Sequence, residues 1–402
     1  MGRRILITYP FPLGRATGGA RMTREIARHL GMAGSRVTVI AVSANFKRGV
    51  YPRPEPEREA LGYEFDEELA HDSVDIQRVP QHRLHWALDA KGVRDLVALE
   101  LERGPVDAVL SYYKEAAFLP ALLKRHPTKF GYISTWQSYA RALQTRAGGV
   151  PRWMTKMVNK KLVLRPHQAA DIFFATSGFT RDELVQYLAI PRERIFVCPL
   201  GVQPHFFDIP SEEPEEVENF LFFGRIIPAK GVADALRAFA ALRTEGRPFR
   251  FRIVGQGWHD WARNLAKELG IESSVEVHGP ADDEGLRAHL QWAHVAVLPS
   301  HFEAFGLAFA EAQAAGLPVV AYKAGSVPEV VLDGETGWLA PAEDVDALGR
   351  CLEEAHRGPE EVGRRGRAAR ERVKREFTWQ RTAETILGGL DRVCGESSSK
   401  AV

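Results

Sequence analysis

The chain is poor in cysteine and has no long apolar run. Its three cysteines, Cys198, Cys351 and Cys394, are isolated and odd in number, which excludes a disulfide framework and a cysteine-ligated zinc site. No stretch approaches the ~20 consecutive apolar residues that a membrane-spanning helix needs. At the start, Arg3 and Arg4 precede only the short run Ile5 to Tyr9, too brief for the apolar region of a signal peptide. A cytoplasmic protein is the expectation. With 53 Lys+Arg against 52 Asp+Glu the formal net charge is +1, without the cationic excess of a general nucleic-acid binder. His278, His294 and His301 lack metal-ligand spacing, and no H-E-x-x-H occurs.

Acidic residues are missing from one interval altogether. None falls between Glu115 and Asp171, where Lys124, Arg125, Lys129, Arg141, Arg146, Arg152, Lys156, Lys160, Lys161 and Arg165 all lie. Trp153, Met157, Val158 and Leu162 interleave with the last five at near-helical spacing. An anionic acceptor, or peripheral contact with the inner face of an anionic membrane, fits this pattern. So does an amphipathic helix packed on its own domain with solvated lysines.

What is present is an alternation of strand and helix, in two halves. Arg4-Ile5-Leu6-Ile7-Thr8-Tyr9 is a strand, and a helix follows from Ala20, with Met22, Ile26 and Leu30 at helical spacing. Later strands are predicted at 37–42, 106–110, 132–135 and 171–175. Residues 203–219 break the pattern with Pro204, Pro210, Pro214 and five glutamates, the composition of a linker. The alternation restarts at Phe220-Leu221-Phe222-Phe223, with a helix marked by Val232, Leu236, Phe239 and Leu242 and a strand at 251–254. An α/β fold with mostly parallel sheets, covered on both faces, is the expectation.

The richest stretch is 299–312. Val295-Ala296-Val297-Leu298 reads as a buried strand leading into it, and Gly306 with Leu307 as the start of a helix. Glu303 then lies on the loop at the strand's carboxyl end, and Glu311 about two turns into the helix. Open α/β sheets bind ligands in the crevice beyond the carboxyl ends of their strands. The free N–H groups of the helix's first turn favour an anion there, such as phosphate. Two acids beside a phosphate must read neutral hydroxyls, and hydroxyls flanking phosphate describe a nucleotide-sugar. Arg225 and Lys230 flank a turn after another strand, so both can reach a diphosphate leaving group and stabilise its growing charge. Isolated surface cations would have the same spacing. Glycine patterns are weaker. Gly18-Gly19 opens a helix as in a P-loop, but Ala20-Arg21 replaces Lys-Ser/Thr. Gly255-Gln256-Gly257 follows a strand, but Asp260 replaces the third glycine of a dinucleotide fingerprint.

At Glu303 and Glu311 the chain resembles the retaining glycosyltransferases of family 4, which carry an E-x7-E motif. The resemblance extends over Gly224 to Gly231, Ala315 to Ala321, Gly325 to Val331 and Asp333 to Leu339, in the family's order. It implies the GT-B fold: two Rossmann-like domains facing across a cleft, with a C-terminal helix returning to the first. The expected division is an acceptor-binding domain over 1–203 with the helix 377–395, a linker over 204–219, and a nucleotide-sugar-binding domain over 220–376. The resemblance further implies a hexosyl or N-acetylhexosaminyl transfer from a nucleoside diphosphate-sugar, by default a UDP-sugar, to a hydroxyl of a glycan, phosphorylated sugar or lipid. It implies no bound metal or other cofactor. Arg225, Lys230 and Glu303 would be catalytic. Gly18, Gly19, Gly255, Phe305, Gly306, Leu307 and Glu311 would hold the donor, with Glu311 on the ribose. Many relatives carry a His-Asp pair where this chain has Trp136-Gln137, so Trp136 would instead either stack on an acceptor sugar or apolar ring, with Gln137 beside it, or pack in a lid. The rivals are a GT-B epimerase, a glycan phosphorylase, and a nucleotide-sugar-binding regulatory protein without turnover. A phosphorylase would need a pyridoxal-phosphate lysine, and no residue is identified as one.

Overall fold

The structure is a computed structural model that describes residues 2–10, 13, 18–42, 74–79, 85–134, 163–210, 213–243 and 248–398. They divide into two compact units, one of Met1–Pro199 with Trp379–Val402 and one of Leu200–Thr378.

In the first unit the strands are β1 (Arg4–Tyr9), β2 (Arg36–Val42), β3 (Val74–Val79), β4 (Ala108–Ser111), β5 (Lys129–Ser134), β6 (Ile172–Ala175) and β7 (Ile195–Val197). They form one sheet in the order β3-β2-β1-β4-β5-β6-β7, parallel throughout. β1 buries every residue after Arg4, as a strand covered on both faces must. The helices α1 (Gly18–Met32), α2 (His85–Arg103) and α3 (Gly178–Leu188) connect strands. Leu6, Val93, Val109, Tyr132 and Phe173 anchor the core.

The second unit contains β8 (Asn219–Phe223), α4 (Val232–Arg243), β9 (Arg250–Val254), α5 (His259–Glu268), β10 (Val275–His278), α6 (Asp283–Trp292), β11 (Val295–Val297), α7 (Leu307–Ala314), β12 (Val319–Tyr322), β13 (Gly337–Ala340), α8 (Val345–Arg357) and α9 (Pro359–Glu376). Its sheet runs β10-β9-β8-β11-β12-β13, again parallel. Phe239 of α4 lies edge-on to Phe220 (5.1 Å between centroids) and tilted on Phe251 (4.5 Å). Each buried phenylalanine contributes about 1.5–3 kcal/mol. The strand order reverses between β1 and β4 in one sheet and between β8 and β11 in the other, the two switch points.

Two sequence readings change here. Residues 204–219, read as a linker, belong to the second unit and bury Phe206, Ile209 and Val217, because apolar residues among the prolines and glutamates find a core to enter. Phe377 and Thr378 also belong to the second unit, where the Phe377 ring stands edge-on to Phe305 (5.5 Å, 89°). The last helix, α10 (Trp379–Ser398), belongs to the first unit. It sits so close to β6 that a Cβ on Gly389 would lie 2.7 Å from the Phe174 ring, and Thr382 Oγ1 donates to Pro199 O at 2.8 Å.

Candidate active site

At the β8/β11 switch point of the second unit two loops meet. The loop after β8 turns through a short 3-10 helix, Pro228–Lys230, and stops at Gly231 in a left-handed conformation (φ 71°). A Cβ on Gly231 would fall 1.9 Å from the carbonyl oxygen of Pro299. Only glycine lets this loop lie against the loop after β11. The His301 N–H then donates to Ala229 O at 3.0 Å, joining the loops through their backbones.

That contact brings Lys230 and Glu303 together. The ammonium of Lys230 bonds to Glu303 Oε1, with only 17% and 10% of the two side chains exposed. Lys230 is largely buried, because its partner lies across the loop junction. Arg225 is exposed and has no ion-pair partner among the described residues. The Glu303 carbonyl accepts from Ser326 N (3.1 Å) and Ser326 Oγ (3.2 Å), so a third loop fixes the residue from behind.

Gly306 caps α7 with φ 90°, and no side chain bonds to that helix start. Phe309 N–H turns back to Gly306 O at 3.0 Å, leaving the N–H groups of Leu307 and Ala308 without a helical acceptor. Leu307 is half-buried. Glu311 is buried on the same helix. Phe305, expected at the donor, has its ring buried against Phe377, so its side chain serves packing. Gly255 lies backbone to backbone on Gly224, where a Cβ would come within 1.7 Å of the Gly224 carbonyl oxygen. Beside it, a recess at the carboxyl ends of β9 and β10 is lined by Gly257, Trp258, Asp260, Trp261 and Gly279. Trp258 is 54% exposed and perpendicular to Trp261 (5.9 Å). Trp258 N–H donates to Ile226 O at 2.9 Å, tying the recess to the loop that carries Arg225.

Sequence reasoning missed Asp234, in the first turn of α4. Its carboxylate accepts from His301 Nε2 (2.8 Å), Tyr322 Oη (3.3 Å) and Arg237 Nη1 (3.2 Å). Burial, then the Asp234 carboxylate, raise the Tyr322 phenol above its usual value, so it stays a donor. The only sequence signal was an acid four residues after Lys230, which any solvated helix start can show.

Gly18 and Gly19 lie in the first unit, at the start of α1, where a Cβ on Gly19 would meet the Tyr9 hydroxyl at 2.8 Å. The β1/β4 switch point there holds a buried polar group: Thr8 Oγ1 and Ser111 Oγ are 2.7 Å apart. Glu115 accepts the Tyr112 N–H at 2.6 Å and the Tyr113 N–H at 2.9 Å. Burial pushes Glu115 up to about 7, against the opposing effect of those bonds. Trp136, Gln137 and the cations from Arg141 to Lys161 lie outside the described residues.

Two family profiles match in succession: one described as Glycosyltransferase Family 4, over residues 16–206, and one described as Glycosyl transferases group 1, over residues 206–372. The chain belongs to the family-4 glycosyltransferases. A relative named glycogen synthase, from Mycobacterium tuberculosis, is 30% identical over 281 residues, 69% of this chain and 64% of that protein. An MMP alpha-(1->4)-mannosyltransferase from Mycolicibacterium hassiacum is 35% identical over 245 residues, 60% of this chain and 58% of that one. The matched region thus spans less than two thirds of either relative's own length. Among solved structures, sucrose-phosphate synthase from Thermosynechococcus elongatus superposes with a TM-score of 0.75 at 20% identity, covering 98% of this chain and 100% of that one. The Anabaena protein HepE, in complex with UDP and glucose, gives 0.70 at 16% identity, covering 97% and 99%. This family-4 chain has their GT-B fold of two Rossmann-like domains. Among its described residues, no helix is long and apolar enough to cross a membrane.

Proposed function

We propose that this chain is a retaining glycosyltransferase that moves a hexosyl or N-acetylhexosaminyl group from a nucleoside diphosphate-sugar to a hydroxyl acceptor. One observation carries the reading: Lys230 and Glu303 meet at the β8/β11 switch point, on the loops that carry exposed Arg225 and lead into the uncapped start of α7. The donor's diphosphate takes Arg225, Lys230 and the free N–H groups of Leu307 and Ala308, which together offset the charge that develops as the sugar–oxygen bond breaks. Two cations and a helix start supply that stabilisation without a metal ion. Glu303 contacts hydroxyls of the transferred sugar. Glu303 is assigned to those hydroxyls rather than to nucleophilic attack, so transfer is front-side, with retention and without a covalent intermediate. Glu311 takes the ribose hydroxyls. The base rests in the recess beside Trp258, one to two strand spacings from the Arg225 loop, roughly 5–10 Å and within a nucleoside's reach. UDP is the default donor nucleotide, a choice supported by the UDP and glucose bound to the Anabaena protein. The acid-free interval supports an anionic acceptor or an anionic membrane surface.

The test is release of nucleoside diphosphate from UDP-, GDP- and ADP-glucose and from UDP-N-acetylglucosamine, without and with candidate acceptors. Turnover of one donor is expected, falling by ~100-fold or more in Arg225→Ala. Lys230→Gln should fall similarly while still offering Glu303 a donor. Ligand binding without turnover would make the chain a regulatory binder, and an anomer opposite to the donor's would refute retention.

A further inference from the structure

The Asp234–His301 bond joins the two loops of the site from a side that the proposed chemistry does not use. His301 precedes Glu303 by two residues. Its backbone N–H is held by Ala229, next to Lys230, and its side chain by Asp234, four residues beyond Lys230. One residue on the β11 loop is therefore bonded twice to the segment that carries the lysine. A carboxylate is an acceptor only, so the bond requires the imidazole proton on Nε2 and fixes the tautomer. Asp234 is itself restrained by Tyr322 and Arg237, and the start of α4 favours its negative charge. Only 12% of the Asp234 side chain and 26% of the His301 side chain are exposed.

We infer that Asp234 and His301 are positioning residues that set the separation of Lys230 from Glu303. The inference rests on the donor-site reading above. When a donor enters, the Lys230–Glu303 ion pair must open so that the lysine grips the leaving diphosphate and the glutamate the sugar. Once the ion pair opens, a β11 loop without the imidazole bond keeps its backbone ties to Ala229 and Ser326 but loses its side-chain tie to the segment that carries Lys230. The imidazole clamp keeps the β11 loop in place while the pair separates. Arg225, the start of α7 and Glu311 are not bonded to His301, so their contacts with the donor should survive loss of the clamp. Its loss should therefore appear in kcat rather than KM, since the Lys230-to-Glu303 geometry matters most in the transition state.

The test compares His301→Ala, His301→Gln and Asp234→Asn in the full chain, using whichever of UDP-, GDP- or ADP-glucose the parent protein turns over. His301→Ala should lower kcat by ~10- to 100-fold, the scale of a 1 Å misplacement, with donor KM within about threefold. His301→Gln, whose amide can reach Asp234 as Nε2–H does, should recover most of that loss. The double variant His301→Ala/Asp234→Asn should be no worse than His301→Ala, because both act through one bond. The clamp is refuted if folded His301→Ala keeps kcat within twofold of the parent. It is equally refuted if His301→Gln is as impaired as His301→Ala, or if the loss only tracks a fall in melting temperature. A parent that turns over no donor, or an Arg225→Ala variant as active as the parent, removes the donor reading and this inference with it. A normal Arg225→Ala loss beside an unaffected His301→Ala removes the inference alone.

Discussion

Gly231→Ala tests whether the closeness of the two loops, rather than the mere presence of their side chains, makes the site. The substitution acts in two separable ways. Alanine at φ 71° sits in the left-handed region, at roughly 1–2 kcal/mol. The added Cβ would also fall 1.9 Å from Pro299 O, and restoring the 3.0 Å that real Cβ atoms keep moves one loop by about 1.1 Å. Lys230 adjoins residue 231 and Glu303 lies four residues past Pro299, so the shift enters the Lys230–Glu303 gap directly. A displacement of that size is expected to lower turnover by ~100-fold. Gly334→Ala isolates the first effect, because Gly334 has φ 79° and nothing beyond its own chain neighbours lies within 4 Å of where its methyl group would stand. It should lose a similar 1–2 kcal/mol, or about 2–8 °C in melting temperature at ~2–4 °C per kcal/mol, and keep parental turnover. Differential scanning calorimetry and nucleoside diphosphate release, run on both variants, read the two effects. If Gly231→Ala matches Gly334→Ala in both assays, the loop contact does not set the site's geometry.

Three further outcomes are expected. Glu311→Ala should weaken binding of the free nucleoside diphosphate through lost ribose contacts, whereas Glu303→Ala should weaken the intact sugar donor more; equal losses by calorimetric titration would end that division of labour. Glu115 has a folded value of about 7, above its ordinary 4.5, so its stabilising contribution is complete below pH ~4.5 and is lost as pH rises through 7. Between those limits, chemical denaturation should show the balance moving towards Glu115→Gln by about 3 kcal/mol, at 1.36 kcal/mol per pKa unit, and a pH-independent difference would refute the assignment. Charge reversal at Lys156, Lys160 and Lys161 should abolish salt-sensitive sedimentation with anionic vesicles or raise the acceptor KM; with both unchanged, the acid-free interval is a solvated face.

The fold and the two glutamates were legible because their signals are local. Apolar runs such as Arg4–Tyr9 and Asn219–Phe223 announce buried parallel strands, and the strand–loop–helix pattern around Gly306 places Glu303 and Glu311 without knowledge of any neighbour. Edge strands were harder. β10, Val275–His278, is half exposed and alternates with charge, so it carries no continuous apolar run. The glutamate-rich stretch 204–219 misled because composition reports average polarity, not the three apolar side chains that reach a core. The partners within the site were illegible for a different reason. Lys230 and Glu303 are 73 residues apart, and Asp234 and His301 are 67 apart. Of the three strands that intervene in sequence, β9 and β10 lie on the far side of β8 in the sheet, which leaves β11 beside β8. Helical and strand periodicities specify which face a residue takes, over a few residues. Which loops become neighbours follows from strand order, and the packing of the whole sheet decides that.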